Sequence, residues 1–408
     1  MKDLRDLKKH SHLYKLIMIS VVGSISSADE LSQILSPEKQ KIFDYQESHN
    51  TLQSDKLKKS WIQPIRLQYR KNYTTQFVGD TVDTSNYSIV IDQPIFKSGG
   101  ILYSIKYADA IKDATATDIL LQKREMIGRA VSILFNFKKI KLQQEKLKLL
   151  IKNDEIDIRL KSDSYEAGIL DSSFLDQAII KRNRDETELL ALEIELEKLK
   201  SDFAYLSDRD PNSFKLPQLK LISKRNYKDE HLALHSDELH AQEKKYLSNM
   251  TWAKYLPEVS IQGQYIKGDL NPLFANPSLR DEYTNYSVTV SMPININSLT
   301  DIEASRVAYM EASTRVIDQK KKVDLEYQTI LNNIRIINKK IALDHKDEKL
   351  YKSLYNVTKN LEEVGEKTSY ETQLMSNSLE TKKLDQKIHK IDRQLQLLSL
   401  YIKVGNVL

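Results

Sequence analysis

The sequence of 408 residues predicts a mainly α-helical fold with four β-strands, built as two copies of one unit: two strands followed by a long helical hairpin. Two long stretches lack proline, one from Pro94 to Pro211 and one after Pro293. Each has a glycine near its middle, Gly168 or Gly365, which stands 74 or 72 residues after the preceding proline. Short segments before each stretch alternate apolar and polar residues, as strands do. The matching intervals indicate an internal repeat.

Other landmarks recur in the same order in both halves. They are two strand-like segments and a Ser/Thr-aromatic patch, at 61–69 and 255–262, 87–95 and 286–294, and 172–174 and 368–370. The predicted organisation is a signal peptide at 1–28, a first repeat at 29–210, a turn-rich linker at 211–223 and a second repeat at 224–408. Strands are expected at about 62–73, 85–96, 256–268 and 283–296, with hairpin turns near Gly168 and Gly365.

The N-terminus has the pattern of an export signal. A basic stretch that ends at Lys15 precedes an apolar run at 16–22, and Ser26 and Ala28 suit a cleavage site before Asp29. The alternative is that these residues are an ordinary amphipathic N-terminal segment and not an export signal, since the apolar run is short. The net charge of 1–28 is +3, which leaves +2 of the total of +5 for the remaining residues. These charges alternate in sign, which argues against a nucleic-acid partner.

The proline-free stretches have helical periodicity. Apolar residues recur at steps of mostly three, four or seven in two seams, at Ile127, Val131, Leu134, Leu142, Leu149 and Ile156, and at Leu189, Leu192, Leu196, Leu199, Phe203 and Leu206. A helix of about 70 residues would be roughly 100 Å long. Such a helix needs neighbouring helices, so we expect a coiled-coil-like array.

The strand-like segments alternate with a period of two over about ten residues, which is the length of a tilted strand across a bilayer. Tyrosines cluster at their ends, as in an aromatic girdle. The alternative is a half-buried sheet in a water-soluble domain, which has the same alternation. Four strands cannot close a membrane barrel and open edges are not tolerated in lipid, so membrane strands would require an oligomer.

Composition and motifs argue against an enzyme. The absence of cysteine excludes disulfides, thiolate metal sites and a cysteine nucleophile. The sequence has no phosphate-binding loop, dinucleotide fingerprint, nucleophile elbow or zinc-protease motif. His231 and His235 stand four residues apart on a predicted helix with Glu238 nearby, but paired surface histidines are usually incidental. We therefore expect no catalytic residues, cofactor or metal.

The order of elements resembles the TolC family of outer-membrane efflux and secretion channels over nearly the whole chain. The segment Gln93-Pro94-Ile95-Phe96, with Gly99-Gly100 after it, is similar to a family motif at the exit of the second strand. Similar hairpin tips are Tyr165-Glu166-Ala167-Gly168 and Glu363-Val364-Gly365. The resemblance implies a trimer in the outer membrane, with a 12-strand β-barrel and a 12-helix periplasmic α-barrel. It also implies a periplasmic adaptor (membrane fusion protein) and an inner-membrane pump as partners.

The resemblance further implies a periplasmic gate at the hairpin tips. Family members often place an acid six residues after the second glycine, here Glu371, where a ring of carboxylates would attract cations. The alternative is that Glu371 lies on a solvated helix face. The corresponding residue of the first tip is Phe174, and Asp176 is a poorer candidate. The implied adaptor contacts are Gly168, Ile169, Leu170, Gly365, Glu366, Lys367 and Thr368.

A different class of protein also has long helical hairpins. A periplasmic coiled-coil adaptor or structural protein that bridges the membranes would have one hairpin flanked by soluble β-domains. This chain has two hairpins, each preceded by amphipathic strands. The sequence therefore favours a channel subunit, and it does not identify the exported substrate.

Overall fold

The computed structural model describes residues 34–77, 79–270 and 278–405, so the predicted signal peptide at 1–28 lies outside the described residues. The described elements are α1 (Pro37–Lys58), β1 (Arg66–Phe77), β2 (Asp80–Phe96), α2 (Gly100–Glu166), α3 (Ser172–Ala204), α4 (Lys224–Asp229), α5 (Leu232–Ala253), β3 (Glu258–Gly268), β4 (Glu282–Ser291), α6 (Ser298–Glu363) and α7 (Ser369–Tyr401). A short 3-10 helix at Pro211–Ser213 precedes α4. No described helix is both long and apolar enough to cross a membrane.

Both halves of the chain have the same principal elements in the same order. Each contains a helix of 22 residues, two strands, a very long helix and a helix of 33 residues. The very long helices, α2 and α6, have 67 and 66 residues. The predicted fold class, mainly α with two strand pairs and two long hairpins, is confirmed.

The strand bounds differ from the expected ones at several ends. β1 begins at Arg66 rather than near residue 62, after Pro64, which has no N–H to donate to a partner strand. β1 extends to Phe77 and β2 begins at Asp80, so the connection is shorter than expected. β4 ends at Ser291 rather than near residue 296, ahead of a proline.

The four strands form one antiparallel sheet with the order β1-β2-β3-β4. The pairing of β2 with β3 joins the two repeats, from Asn86 opposite Gly268 to Phe96 opposite Val259. The register shifts between Pro94 and Phe96, as expected where a proline interrupts the hydrogen-bond ladder. Both repeats therefore contribute to one sheet.

The chain divides into two compact units that do not follow the repeat boundary. Of the described residues, the strand unit contains those of 42–121 and 231–324, and the hairpin unit contains 34–41, 122–230 and 325–405. Each unit therefore contains parts of both repeats.

In the hairpin unit, α2 pairs with α7 through polar contacts that recur every seven residues of α2. These contacts are Lys139–Asp392 (2.7 Å), Lys146–Asp385 (2.7 Å) and Asn153–Asn377 (2.8 Å). Between the first two, Leu142 packs with Leu384 and Ile388 in a buried cluster. The spacing of seven is that of a coiled-coil seam. The predicted seam on α2 is buried at all its positions except Leu149, which is half-buried.

The other two long helices lie on either side of this pair. Lys181 of α3 contacts the buried Asp154 of α2, and His389 of α7 contacts Asp344 of α6 at 2.6 Å. The hairpin unit therefore has a helix order of α3-α2-α7-α6. In this order α3 and α6 are the outer helices.

The strand unit has a matching layer of helices. Ser54 of α1 donates a hydrogen bond to the backbone oxygen of Ala108 in α2 at 2.9 Å. On α5, His240 contacts α2, and Glu238 forms a 3.0 Å ion pair with Lys320 of α6. The order here is α1-α2-α5-α6.

Candidate functional site

One face of the sheet is apolar and exposed. Because cross-strand partners point to the same side, the pairs Leu67–Ile89 and Ile261–Val288 share a face. On β4, the exposed fractions of Tyr286, Val288 and Val290 are 81%, 70% and 70%. The apolar face consists of Leu67, Tyr69, Tyr87, Ile89, Ile91, Ile261, Tyr265, Tyr286, Val288 and Val290.

The opposite face of the sheet is polar. It consists mainly of Arg66, Gln68, Arg70, Asn86, Ser88, Gln262, Gln264, Asn285, Ser287 and Thr289. On this face Ser287 donates a hydrogen bond to Gln262 at 3.2 Å. The predicted alternation of apolar and polar side chains is therefore present in the folded sheet. Such a sheet can separate an apolar medium from an aqueous one.

The two outer strands leave the sheet open. Within the described residues, β1 pairs only with β2 and β4 only with β3. Each outer strand therefore presents a row of backbone donors and acceptors to a further strand. A single chain therefore leaves backbone hydrogen-bonding groups of both outer strands unpaired within this sheet and leaves the apolar face exposed, which indicates that further strands are needed to complete the sheet.

The outer helix α6 carries an exposed apolar stripe in the hairpin unit. Ile336, Leu343, Leu350 and Val357 follow one another at intervals of seven residues. Their side chains are 53–58% exposed. On the other outer helix, α3, Ile180, Leu190 and Ile194 are 60–73% exposed. Apolar stripes of this kind fit a further helix.

Both hairpin turns end their first helix in the same way. Gly168 has φ +71° and Gly365 has φ +78°, in the left-handed region that favours glycine. The N–H of Ile169 bonds to the carbonyl of Ser164 at 2.9 Å, and the N–H of Glu366 bonds to that of Leu361 at 2.8 Å. These bonds satisfy carbonyls at the helix ends, in a Schellman arrangement. The two central glycines therefore mark the two tips.

The second tip is held by a reciprocal cap. Thr368 accepts a hydrogen bond from the Glu371 N–H at 3.3 Å, and the Glu371 carboxylate accepts one from the Thr368 N–H at 2.9 Å. Lys367 donates to the same carboxylate at 2.5 Å. Both of these hydrogen bonds to the carboxylate lower the pKa of Glu371, and the bond from Lys367 has the larger effect. The carboxylate thus stabilises the start of α7.

The first tip has a different cap. Asp171 accepts a hydrogen bond from the Ser173 N–H at 2.8 Å, which lowers the pKa of Asp171. Phe174, which corresponds to Glu371, is 48% exposed, and Asp176 is also exposed. Among the implied adaptor contacts, Leu170 is half-buried, and the exposed ones are Gly168, Ile169, Gly365, Glu366, Lys367 and Thr368.

A contact between the two hairpins near their tips was not expected from the sequence. Arg159 of α2 donates a hydrogen bond to the Tyr370 hydroxyl of α7 at 2.6 Å. The Arg159 guanidinium carbon also lies 5.4 Å from the centre of the Tyr370 ring. Arg159 and Tyr370 are 211 residues apart in the sequence, so their contact depends on how α2 and α7 align. A local sequence pattern cannot predict such an alignment.

The histidine pair of the second repeat does not form a metal site in the described structure. His231 is buried at the N-terminus of α5, where its Nδ1 accepts a hydrogen bond from the Leu234 N–H at 3.2 Å. His235 is exposed. The described residues contain no group of three or more histidine or acidic side chains arranged to hold a metal ion.

Comparison with known proteins shows similarity in structure. No protein-family model matches the chain, and no curated protein sequence matches it. The Campylobacter jejuni CmeC outer membrane channel matches with a TM-score of 0.74 and 13% identity, over 92% of this chain and 85% of that one. The Vibrio cholerae outer membrane protein VceC matches with a TM-score of 0.73 and 12% identity, over 92% and 95%.

A third match is the open state of the Neisseria gonorrhoeae MtrE outer membrane channel, with a TM-score of 0.63 and 13% identity over 95% of this chain and 94% of that one. The similarity covers strands and helices alike, because more than nine-tenths of this chain is aligned in each case. The chain therefore has the fold of these outer membrane channel proteins.

Proposed function

We propose that the chain is one subunit of a homotrimeric outer-membrane channel that serves as the exit duct of a tripartite efflux or type I secretion system. The observation that carries this proposal is the four-stranded sheet with one apolar face, one polar face and two open edges. In a closed ring the apolar face would contact lipid and the polar face would line a water-filled passage. The proposed role is conduction, without catalysis.

The strand count supports a trimer. Lipid does not tolerate open sheet edges, so β4 of one copy would pair with β1 of the next until the ring closes. Two copies would give eight strands, and a barrel of eight has an interior just wide enough for side chains to fill it. Three copies would give twelve strands and leave room for a passage.

The helices support the same assembly. The outer helices α3 and α6 each have exposed apolar side chains, among them Ile194 on α3 and Leu343 on α6. Pairing of α6 with α3 of the next copy would cover both stripes and close a ring of twelve helices. Each of these pairings is head-to-tail, so each would recur around a closed ring of three copies.

We place the adaptor contact and the gate at the hairpin tips. Exposed tip residues, such as Ile169 and Lys367, are available to a periplasmic adaptor and, through it, an inner-membrane pump. Glu371 remains the candidate gate carboxylate, with Asp176 second. Its contact with Lys367 offsets its charge, which argues for weak cation selectivity. We add the Arg159–Tyr370 contact as a brace between the hairpins.

The proposal is tested by cell fractionation, oligomer mass and conductance. We expect a detergent-stable trimer in the outer-membrane fraction that forms ion-conducting channels in planar bilayers. Leu343→Asp on the exposed stripe of α6 should reduce the trimer fraction, and the matched control Asn338→Asp, at an exposed position of α6 outside the stripe, should not. A monomer that stays in the soluble fraction, or a protein that fractionates with the inner membrane, would favour the periplasmic adaptor or structural protein instead.

The gate is tested separately in bilayers. Glu371→Ala should change conductance or ion selectivity if Glu371 lines the constriction, and Asp176→Ala serves as the comparison in the first tip. Tyr370→Phe, which keeps the ring but removes the hydrogen bond with Arg159, should raise the open probability. Unchanged conductance and selectivity in Glu371→Ala would exclude Glu371 from the constriction.

A further inference from the structure

We propose that His240 forms a proton-dependent bridge between helices α2 and α5 of the strand unit. His240 and Glu243 belong to α5, and Asp118 belongs to α2, so the bridge joins a helix of the second repeat to one of the first. The proposal concerns these two helices and does not depend on channel function. It rests on the positions of His240, Asp118 and Glu243 and on the number of protons that the imidazole ring needs to bond to both carboxylates.

Each ring nitrogen of His240 contacts a different carboxylate. Nε2 lies 2.9 Å from Oδ2 of Asp118, and Nδ1 lies 3.0 Å from Oε2 of Glu243. An ionised carboxylate only accepts hydrogen bonds, and a neutral imidazole has only one N–H to donate. Both contacts are therefore hydrogen bonds only when the ring is a doubly protonated imidazolium.

The other carboxylate oxygens also have donors. The Ser236 hydroxyl donates to Oδ1 of Asp118, and Lys244 donates to Oε1 of Glu243 at 3.0 Å. Each carboxylate therefore has one oxygen that accepts from a neighbouring donor and a second oxygen that faces a ring nitrogen of His240. Glu243 is only 5% exposed, which makes loss of a hydrogen-bonded cation beside it costly.

The surrounding charges come from three helices. From α2, besides Asp118, the Tyr107 phenol lies near Glu243, and burial together with that charge raises the pKa of Tyr107. A cavity beside His240 is lined by charged residues of α5 and α6, namely Asp237 and Lys244, and Glu311 and Arg315. Arg315 and Glu311 form a 2.5 Å ion pair.

These surroundings set the pH range in which the bridge exists. Burial lowers the pKa of His240, but the hydrogen bonds to Glu243 and Asp118 and their negative charges outweigh this effect, so the net shift is upward from 6.5. A raised pKa means that the bridge stabilises the fold fully below about pH 6.5. This contribution is lost as pH rises through the pKa of the folded protein.

The contact between α1 and α2 provides a comparison in which no histidine takes part. α1 is the counterpart of α5 in the first repeat, and it is joined to α2 by two side-chain hydrogen bonds to backbone oxygens and by a 2.5 Å ion pair between Lys58 and Asp109, without a histidine. Asn50 donates to the backbone oxygen of Lys112 and Ser54 to that of Ala108, each at 2.9 Å. Among the contacts of the described residues, the histidine bridge therefore lies on the α5 side of α2.

The experiment compares thermal unfolding of the full-length protein in detergent at about pH 5.5 and about pH 8.5, on either side of the unperturbed histidine pKa. His240→Gln should lower the midpoint temperature by about 2 °C or more at the lower pH, and the difference from wild type should largely disappear at the higher pH. His49→Gln, at an exposed histidine of α1, is the matched control and should change neither value.

A second variant keeps the histidine and removes its interhelical partner. Asp118→Asn should reduce the stability advantage at low pH and lower the midpoint of the His240 titration followed by NMR. If His240→Gln lowers the midpoint temperature equally at both pH values, or if Asp118→Asn leaves the His240 titration unchanged, the proton-dependent bridge is refuted. Either result would leave the conductance and fractionation tests of channel function unaffected.

Discussion

The orientation of the sheet can be tested with two adjacent residues of β4. Val288 lies on the apolar face opposite Ile261, and its side chain is 70% exposed. Thr289, the next residue, lies on the polar face opposite Ser260. We therefore compare Val288→Arg with Thr289→Arg, which introduce the same charge one residue apart on opposite faces.

The size of the effect follows from where each side chain would point. An arginine on the lipid face costs about 2–4 kcal/mol at the bilayer midplane and about 0–1 kcal/mol near the interfaces. Val288 has Tyr286 and Val290 on either side of it on the same face. We therefore expect its substitution by arginine to cost more free energy than a substitution near the interfaces would. Three copies in a trimer multiply the cost, to about 6–12 kcal/mol per assembly at the midplane. Thr289→Arg would place its charge in water.

The assay measures the amount of heat-modifiable oligomer in outer-membrane fractions, together with refolding of purified protein into lipid vesicles. We expect Val288→Arg to reduce insertion strongly and Thr289→Arg to leave it near the wild-type level while altering ion selectivity. Equal insertion of both variants would refute a lipid-facing apolar surface. Greater loss in Thr289→Arg would show that the two faces have the opposite roles.

Three further predictions concern stability, and chemical denaturation of the purified protein measures each. A Cβ at Gly128 would lie 2.2 Å from Cγ1 of Ile402, so Gly128→Ala should destabilise by about 1 kcal/mol, because overpacking exceeds the gain in helix propensity. In an Ile402→Ala background the same change should become stabilising. Gly365→Ala should cost about 1 kcal/mol because of the positive φ, although no atom lies within 4 Å of the added methyl group. Thr368→Ala should cost about 1 kcal/mol by removing the cap of α7. The contribution of Glu371 to this cap should be lost as pH falls, because its pKa is lowered in the folded chain.

The main elements could be predicted because local rules place them. Gly168 and Gly365 stand where the chain must adopt positive φ, and that requirement is visible in the sequence. Alternation of side chains likewise identified the strands and their faces. These features depend on a few neighbouring residues, so a single sequence is enough to recognise them.

Contacts between distant segments could not be predicted in the same way. The Arg159–Tyr370 contact and the bridge from His240 to Asp118 depend on helix pairing across more than 100 residues. The cap formed by Glu371 was visible in principle, since Thr368 precedes it by three residues in the pattern of a capping box. The family resemblance concerns the charge of Glu371 and does not indicate this cap.

The open edges of the sheet affect how the subunit behaves between its synthesis and its assembly. A chain with two unpaired strand edges and exposed apolar stripes on α3 and α6 can associate with any similar surface, including misaligned copies of itself. The separate subunit should therefore be short-lived, and its measured stability should rise with protein concentration as copies assemble. Before assembly, the main hazard for this chain is premature association, so its yield should depend on chaperones that cover the strands until the copies pair.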